Sequence, residues 1–194
     1  MLTVDEIPLF PLDTVLFPGG PLPLRIFETR YLDMVSRCMK GGEGFGVCLI
    51  DAGRQTGAAR VHEVGTLARI QDWSQGEDGL LHILALGGRR FRVKSARTQE
   101  DGLTLGTVEW LEPDLRLPLP EGREPLAELL REISQQVGGP YATLEPDYRD
   151  AAWVGGRLAE LLPISLPQRQ YLLELSDPLK RIEILATLVQ SLAQ

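Results

Sequence analysis

The hydrophobic pattern of this chain changes its period once, at a proline-rich segment. Before residue 113, apolar residues mostly alternate with other residues in short runs, as in Leu22, Leu24 and Ile26, which is the period of β-strands. After residue 125 they recur every three or four residues, as in amphipathic helices. The segment 113–125 holds four prolines and interrupts both patterns. The sequence therefore predicts an α+β protein with a β-rich part at 1–112, a connector at 113–125 and a helical part at 126–194.

The β-rich part is expected to form an antiparallel barrel or a strongly coiled sheet. Asp78-Gly79 and Asp101-Gly102 are hairpin signals between β-rich runs, and Pro18-Gly19-Gly20-Pro21 is a turn signal. Two prolines in the first run, IPLFPL, indicate an edge strand or a strand end. One helix is predicted within ETRYLDMVSRCMKGG, where its apolar residues share a face and Gly41-Gly42 provides the stop.

The helical part is predicted to contain four helices. The first has apolar residues from Leu126 to Val137 with Gly138-Gly139 as the stop, and the second runs from about residue 147 to Pro163. Ser165 and Gln168 form a capping-box pattern that opens the third. The fourth begins after Asp177 and carries a seam of apolar residues, namely Ile182, Leu185, Val189 and Leu192.

The composition favours a globular protein with a negative potential. Hydrophobic residues make up 43% of the sequence and the formal net charge is −7, which disfavours binding to nucleic acid. No apolar run approaches the ~18 residues of a membrane helix, and the amino terminus lacks the pattern of a secretory signal. Cys38 and Cys48 are too few for a disulfide framework. We therefore expect a cytoplasmic protein with no membrane partner.

The residues offer no catalytic or metal-binding motif. The sequence contains no Gly-Lys dipeptide, so the phosphate-binding loop of the Walker motif is absent. No lysine has an evident serine partner for nucleophilic catalysis, and the two histidines, His62 and His82, form no short-spaced cluster with cysteine. We expect no enzyme activity, no cofactor and no metal.

One basic cluster lies in the run GGRRFRVKSAR. At strand period Arg90, Arg92 and Lys94 share a face, which makes them candidates for an anion or RNA site. The alternative interpretation, a solvated face that balances nearby acids, is favoured by the overall charge.

Three stretches of the chain resemble the amino-terminal, substrate-binding domain of Lon proteases (ATP-dependent protease La). They are IPLFPLDTVLFPGGPLPLRIFETRYLDMV, then VGTLARIQDW with LLHILALGGRRFRV, and finally LAELLPISLPQRQYLLELSDPLKRIEILATLV. The resemblance implies a PUA-like β-rich subdomain followed by a helical subdomain, and it extends in part to the substrate-receptor region of cereblon. Lon proteases add an ATPase module and a serine–lysine peptidase domain. We expect a stand-alone, non-catalytic version of the substrate-binding domain.

The leading functional hypothesis is recognition of peptides or of exposed apolar segments in client proteins, with a link to proteolysis through a protease or ATPase partner. Large apolar residues in loops and at the helix start are the candidate binding residues: Phe17, Phe27, Tyr31 and Trp73. A second hypothesis is a regulatory or assembly module that binds one folded partner, such as Lon itself, through the seam of the last helix. A third is a small-molecule enzyme that uses a pocket of the β-rich part.

Overall fold

The structure is a computed structural model that describes residues 4–51 and 61–192. Its internal contacts divide the chain into two compact units with the boundary between Glu112 and Pro113.

Within the described residues, the first unit contains six strands and one helix. In chain order they are β1 (Val4–Leu12), β2 (Pro21–Ile26), α1 (Thr29–Gly41), β3 (Phe45–Leu49), β4 (Val64–Gln75), β5 (Leu81–Thr98) and β6 (Thr104–Trp110). The strands form one sheet in the order β2-β5-β4-β3-β1-β6, and an additional pairing joins β5 to β6. That pairing closes β5, β4, β3, β1 and β6 into a ring, which confirms the predicted barrel-like sheet.

The ring closes because β5 is long enough to pair with two strands, β2 and β6, along the same edge. Its first residues, Leu81–Leu86, pair with β2, whereas its later residues, from Phe91 to Thr98, pair with β6. The pairings are antiparallel except for that of β1 with β3, which is parallel. A parallel pair needs a long crossover connection, and the chain from β2 through α1 provides it.

The prolines of β1 were predicted to mark an edge strand or a strand end. β1 is not an edge strand, but Pro11 lies next to its last residue, Leu12. Pro8 lies in the half of β1 that pairs with β6, and Pro11 lies in the half that pairs with β3. Each half has one neighbour among the described strands. A proline therefore fits in either half, with its missing N–H on the unpaired side.

The edge strand is β2, and its prolines point away from its neighbour. The Gly87 N–H donates to the Gly20 carbonyl oxygen at 2.8 Å, so in this antiparallel register Leu22, Leu24 and Ile26 are the residues whose backbone groups face β5. The intervening residues, Pro21 and Pro23, face the other way. They remove two N–H donors from an edge that pairs with no other strand in the described part of the chain.

The main core of the first unit lies between α1 and the sheet. The apolar side of α1 is buried there through Tyr31, Met34, Val35 and Cys38. Its partners on the sheet include Phe10, Phe45, Val47, Ile83 and Ala85, all buried. A second cluster on Phe91, Leu9, Leu67 and Val108 fills the space beside it. The fold thus leaves the start of α1 and the β4–β5 hairpin at the border of the core.

The second unit contains four helices within its described residues. They are α2 (Glu124–Val137), α3 (Ala151–Leu161), α4 (Leu166–Glu174) and α5 (Pro178–Leu192), with a short 3₁₀ turn at Gly139–Thr143. The capping box predicted at the start of α4 is confirmed, because the Ser165 hydroxyl accepts from the Gln168 N–H and the Gln168 side chain accepts from the Ser165 N–H. The segment after Pro113 is bound to this unit, since the Leu117 carbonyl accepts from Ala151 N–H and Leu119 N–H donates to Arg149.

A buried arginine joins three parts of the second unit. The Arg181 guanidinium donates to the carbonyl oxygens of Leu172 at 2.9 Å and Leu175 at 2.7 Å, and to the Asp114 carboxylate at 2.6 Å. Its side chain is 2% exposed and that of Asp114 is 11% exposed. The pair therefore links α5 to the end of α4 and to the segment that follows Pro113.

Candidate functional site

An apolar groove of the first unit lies where β2 leads into α1, opposite the β4–β5 hairpin. We call it the Phe27–Trp73 groove. It has a volume of about 290 Å³ and is lined by Ile26, Phe27, Leu32, Trp73, Gln75, Gly79, Leu80 and Leu81. The lining is apolar apart from Gln75 and the backbone.

Two aromatic side chains at this groove are exposed. Phe27 is 69% exposed and Trp73 is 55% exposed, although each could bury a large area of apolar surface. Both residues are candidate binding residues on sequence grounds, and the structure brings them to one groove. Exposed aromatic side chains beside an apolar depression are typical of a surface that binds another molecule.

A β-bulge sets the position of Trp73. The register of β4 against β5 shifts between Ile70 and Asp72, which re-aims the side chains that follow. After the shift Trp73 pairs with Ile83 and Gln75 with Leu81, and Leu81 pairs in turn with Ile26 of β2. Because paired residues point to the same side of a sheet, these residues share the side that carries the groove. The Asp72 carboxylate accepts the Trp73 N–H at 2.8 Å.

A second cavity adjoins the groove, with Ile26 and Phe27 lining both. We call it the Tyr31 pocket. It has a volume of about 400 Å³, an apolar part that includes Phe10, Leu12, Leu24 and Ile50, and a polar part formed by Arg25, Glu28, Arg30, Thr98 and Thr104. Tyr31 stacks on Phe10 with 3.9 Å between ring centroids, and burial raises the pKa of its hydroxyl. Tyr31 thus forms a wall of this pocket, being 8% exposed.

The cations beside these cavities are already engaged. Arg30 lies over the Tyr31 ring, donates to the Gly102 carbonyl at 2.9 Å and pairs with the Glu28 carboxylate at 2.7 Å. Arg25 pairs with Asp78 at 2.6 Å. The pKa of the Asp78 carboxyl is lowered, chiefly because it accepts the Leu80 N–H and also because His82 and Arg25 lie beside it. Asp78 therefore remains charged well below neutral pH.

Phe17 is not available to a ligand, and here the sequence interpretation is corrected. Its exposure is 0%. The turn that follows it is fixed against β5, since the Gly19 N–H donates to the Gly87 carbonyl and a Cβ at Gly87 would lie 2.1 Å from the Phe17 carbonyl oxygen. The absence of a side chain at Gly87 thus allows this loop to pack closely, with the Phe17 side chain in the core.

The predicted basic stripe is also corrected. Arg90 is buried, with 3% exposure, so it does not share a solvent face with Arg92 and Lys94. Arg92 pairs with Glu63 at 3.2 Å, and Lys94 pairs with Glu109 at 3.0 Å. The exposed cations Arg92 and Lys94 of this strand are thus each paired with a carboxylate. Such pairing is expected of a solvated face and not of an anion groove.

The second unit has a shallower depression and a largely buried helix seam. The depression has a volume of about 610 Å³ and mixes apolar residues such as Leu119 and Tyr148 with both signs of charge. In α5, Ile182 and Leu185 are fully buried, whereas Leu192 is 50% exposed. Most of the seam proposed for partner binding therefore packs within the unit.

Neither a metal-binding cluster nor a membrane-spanning helix occurs in the described residues. Over residues 4–51 and 61–192, no group of three or more His, Cys, Asp or Glu side chains is arranged to hold a metal ion. In the same ranges no helix has the length and hydropathy to cross a membrane.

Comparison with solved structures identifies this architecture. A crystal structure of a Lon N-terminal domain protein from Xanthomonas campestris is 42% identical, with a TM-score of 0.79, and the match covers 94% of this chain and 98% of that chain. The N-terminal domain of a Mycobacterium avium complex Lon protease shares the fold at 15% identity, with a TM-score of 0.62 over 93% of this chain and 96% of that chain.

Curated proteins show the same relationship in sequence. The Lon protease of Xanthomonas oryzae is 27% identical over 96% of this chain and 23% of that protein. Protein cereblon of Danio rerio is 32% identical over 61% of this chain and 28% of that protein. The chain thus spans about a quarter of the length of these curated relatives.

The fold is that of the α+β substrate-binding domain present in Lon proteases. The chain belongs to the family of ATP-dependent protease La (LON) substrate-binding domains, and the match to that family extends over residues 6–191.

Proposed function

We propose that this domain binds exposed apolar segments of other proteins in the Phe27–Trp73 groove. The observation that carries the proposal is the exposure of Phe27 and Trp73 at one apolar groove. Both side chains leave apolar area in water that a partner would cover, at about 25 cal/mol for each Å² removed from solvent. The membership of the substrate-binding family supports the same interpretation.

The adjoining Tyr31 pocket extends the proposed site. Ile26 and Phe27 separate the two cavities, so a segment that crosses Phe27 places one apolar side chain in each. In this arrangement affinity comes from a few side chains seated in pockets, as in most protein interfaces. Delivery of such segments to a protease or ATPase partner is part of the proposal, because the family is described as the substrate-binding domain of an ATP-dependent protease.

Binding to a designed peptide tests the proposal. The probe is a fluorescein-labelled 12-residue Gly/Ser peptide with two Phe residues, and the reference peptide has Ser in place of both. We expect the Phe peptide to bind and the Ser peptide not to bind, as measured by fluorescence anisotropy. Phe27→Ala and Trp73→Ala should each weaken binding about tenfold, the loss typical of an aromatic residue at the centre of an interface.

Tyr171→Ala is the matched control, because Tyr171 is an exposed aromatic residue of the second unit (54%). Its affinity for the Phe peptide should equal that of the unmodified domain. All three variants should retain the melting temperature within about 2 °C, since each shortens an exposed side chain. Equal affinities for Trp73→Ala, Phe27→Ala and Tyr171→Ala would show that the groove is not the binding site.

A further inference from the structure

We propose that the Tyr31 pocket selects a tyrosine of the bound segment, and that the Tyr31 hydroxyl is the group that recognises it. This inference rests on the proposed function and specifies one residue of the bound segment. Its basis is a buried polar atom at the apolar part of the pocket. Tyr31 lines the pocket and is only 8% exposed, and its hydroxyl forms no hydrogen bond within the part of the chain that the structure describes.

Contacts on both faces of the Tyr31 ring leave the edge of the ring for the pocket. Phe10 stacks on one face, with 3.9 Å between ring centroids and 21° between the ring planes. The Arg30 guanidinium lies over the ring at 4.7 Å from its centroid, and because Phe10 closes one face, Arg30 covers the other. The part of the ring that remains to contact a bound group is therefore its edge, where the hydroxyl lies.

The charged groups beside Tyr31 are engaged elsewhere and do not satisfy its hydroxyl. Arg30 donates to the Gly102 carbonyl oxygen at 2.9 Å and pairs with the Glu28 carboxylate at 2.7 Å. Burial raises the pKa of the Tyr31 hydroxyl above its usual value, and this effect outweighs that of Arg30, which lowers the pKa. The hydroxyl is therefore neutral at physiological pH and can both donate and accept a hydrogen bond.

A tyrosine side chain matches this combination of apolar wall and single hydroxyl. The apolar part of the pocket includes Phe10, Leu12, Leu24 and Ile50, which suits an aromatic ring. The hydroxyl at the end of a bound tyrosine can pair with that of Tyr31. A bound phenylalanine would instead cover the Tyr31 hydroxyl without giving it a partner, which opposes binding. Sites that contain such a group discriminate against a ligand that lacks the matching hydroxyl.

The test uses three fluorescein-labelled peptides with the same 12-residue Gly/Ser frame. One contains two Phe residues, and in each of the other two a different Phe is replaced by Tyr. Fluorescence anisotropy measures their affinities for the domain. We expect one of the two Tyr peptides to bind about fivefold more tightly than the Phe peptide, the gain typical of one neutral hydrogen bond.

The variant Tyr31→Phe assigns this preference to the hydroxyl, because it keeps the ring. It should reverse the preference, so that the Phe peptide binds about twofold more tightly than the Tyr peptide, whose hydroxyl then has no partner in the pocket. The melting temperature should fall by no more than about 2 °C, since the fold does not use the hydroxyl as a donor or acceptor. Tyr171→Phe is the matched control: it removes a hydroxyl from an exposed tyrosine of the second unit and should leave the fivefold preference unchanged.

The outcomes separate this inference from the proposed function. If the Phe peptide binds through Phe27 and Trp73 but neither Tyr peptide binds more tightly, the tyrosine preference is wrong and the proposed function stands. A preference that persists in Tyr31→Phe would also overturn the inference, since another group would then bind the hydroxyl of the peptide. A large loss of stability in Tyr31→Phe would do the same, because the hydroxyl would then have a partner within the fold. If none of the three peptides binds, the proposed function fails, and this inference fails with it.

Discussion

Replacement of Arg181 by Ala should destabilise the second unit by about 3–5 kcal/mol, the loss typical of breaking a buried ion pair by removal of one partner. Arg181 is nearly inaccessible and donates to Leu172, Leu175 and Asp114. Its removal takes a donor from two carbonyl groups and takes the guanidinium away from the Asp114 carboxylate, which is 11% exposed. At about 4–8 °C for each kcal/mol in a unit of roughly 80 residues, the melting temperature of the second unit should fall by at least about 12 °C.

Thermal unfolding followed by circular dichroism at 222 nm is the appropriate assay, because the helices of the second unit dominate that signal. Arg116→Ala is the matched control: Arg116 pairs with Asp147 in the same unit, but its side chain is 80% exposed. It should cost less than about 1 kcal/mol, as surface pairs do.

A double variant, Arg181→Met with Asp114→Leu, examines the cause of the destabilisation. It should be more stable than Arg181→Met alone, because it removes the carboxylate that has lost the guanidinium. If Arg181→Ala and Arg116→Ala have equal effects, the buried pair does not hold α5 to α4.

Two further predictions concern the first unit. The Thr66 hydroxyl is buried and donates to the Leu16 carbonyl at 2.6 Å. Thr66→Val should therefore lower the free energy of unfolding in urea by about 1–3 kcal/mol, and Thr66→Ser should lower it less. Equal losses in the two variants would show that the hydroxyl contributes nothing. Burial raises the pKa of the Cys48 thiol from 9.0 to about 12, so the folded state holds this proton more tightly than the unfolded state, and stability falls as pH rises above about 9. Between pH 8 and pH 11 the unmodified domain should lose about 3 kcal/mol more than Cys48→Ala; parallel pH profiles would contradict this cause.

The sequence predicted the elements whose signals are local. The capping residues Ser165 and Gln168 mark the start of α4, and glycines with positive φ occupy the turns at Gly79 and Gly102, as the Asp-Gly dipeptides indicated. These features depend on residues within one turn of each other. Their physical cause, satisfaction of local backbone groups, is visible in the sequence.

Features that depend on remote contacts were predicted less well. Phe17 is buried because Gly87, seventy residues away along the chain, allows its loop to approach β5. Arg90 is buried in a strand whose alternation was expected to place it beside Arg92 and Lys94 in solvent; burial of Arg90 next to buried Phe91 breaks that alternation. Nor does any local signal reveal the bulge that positions Trp73.

Two of the four candidate residues, Phe27 and Trp73, lie at one groove, but their shared position could not be predicted from the sequence. Phe27 and Trp73 were named because aromatic residues in loops are available for contact, and the structure shows both exposed at one groove. Forty-six positions separate them in sequence, and only the pairing of β2, β4 and β5 brings them together.

The donor-poor edge of β2 has a consequence for the proposed binding of apolar segments. Unfolded segments held near a free strand edge are well placed to continue the sheet, and a continued sheet recruits further copies into aggregates. Pro21 and Pro23 interrupt that route along the edge strand that leads to the groove residues Ile26 and Phe27. Under the proposed function, the two prolines would let the domain bind an apolar segment through side chains without offering its sheet edge as a template for fibre growth.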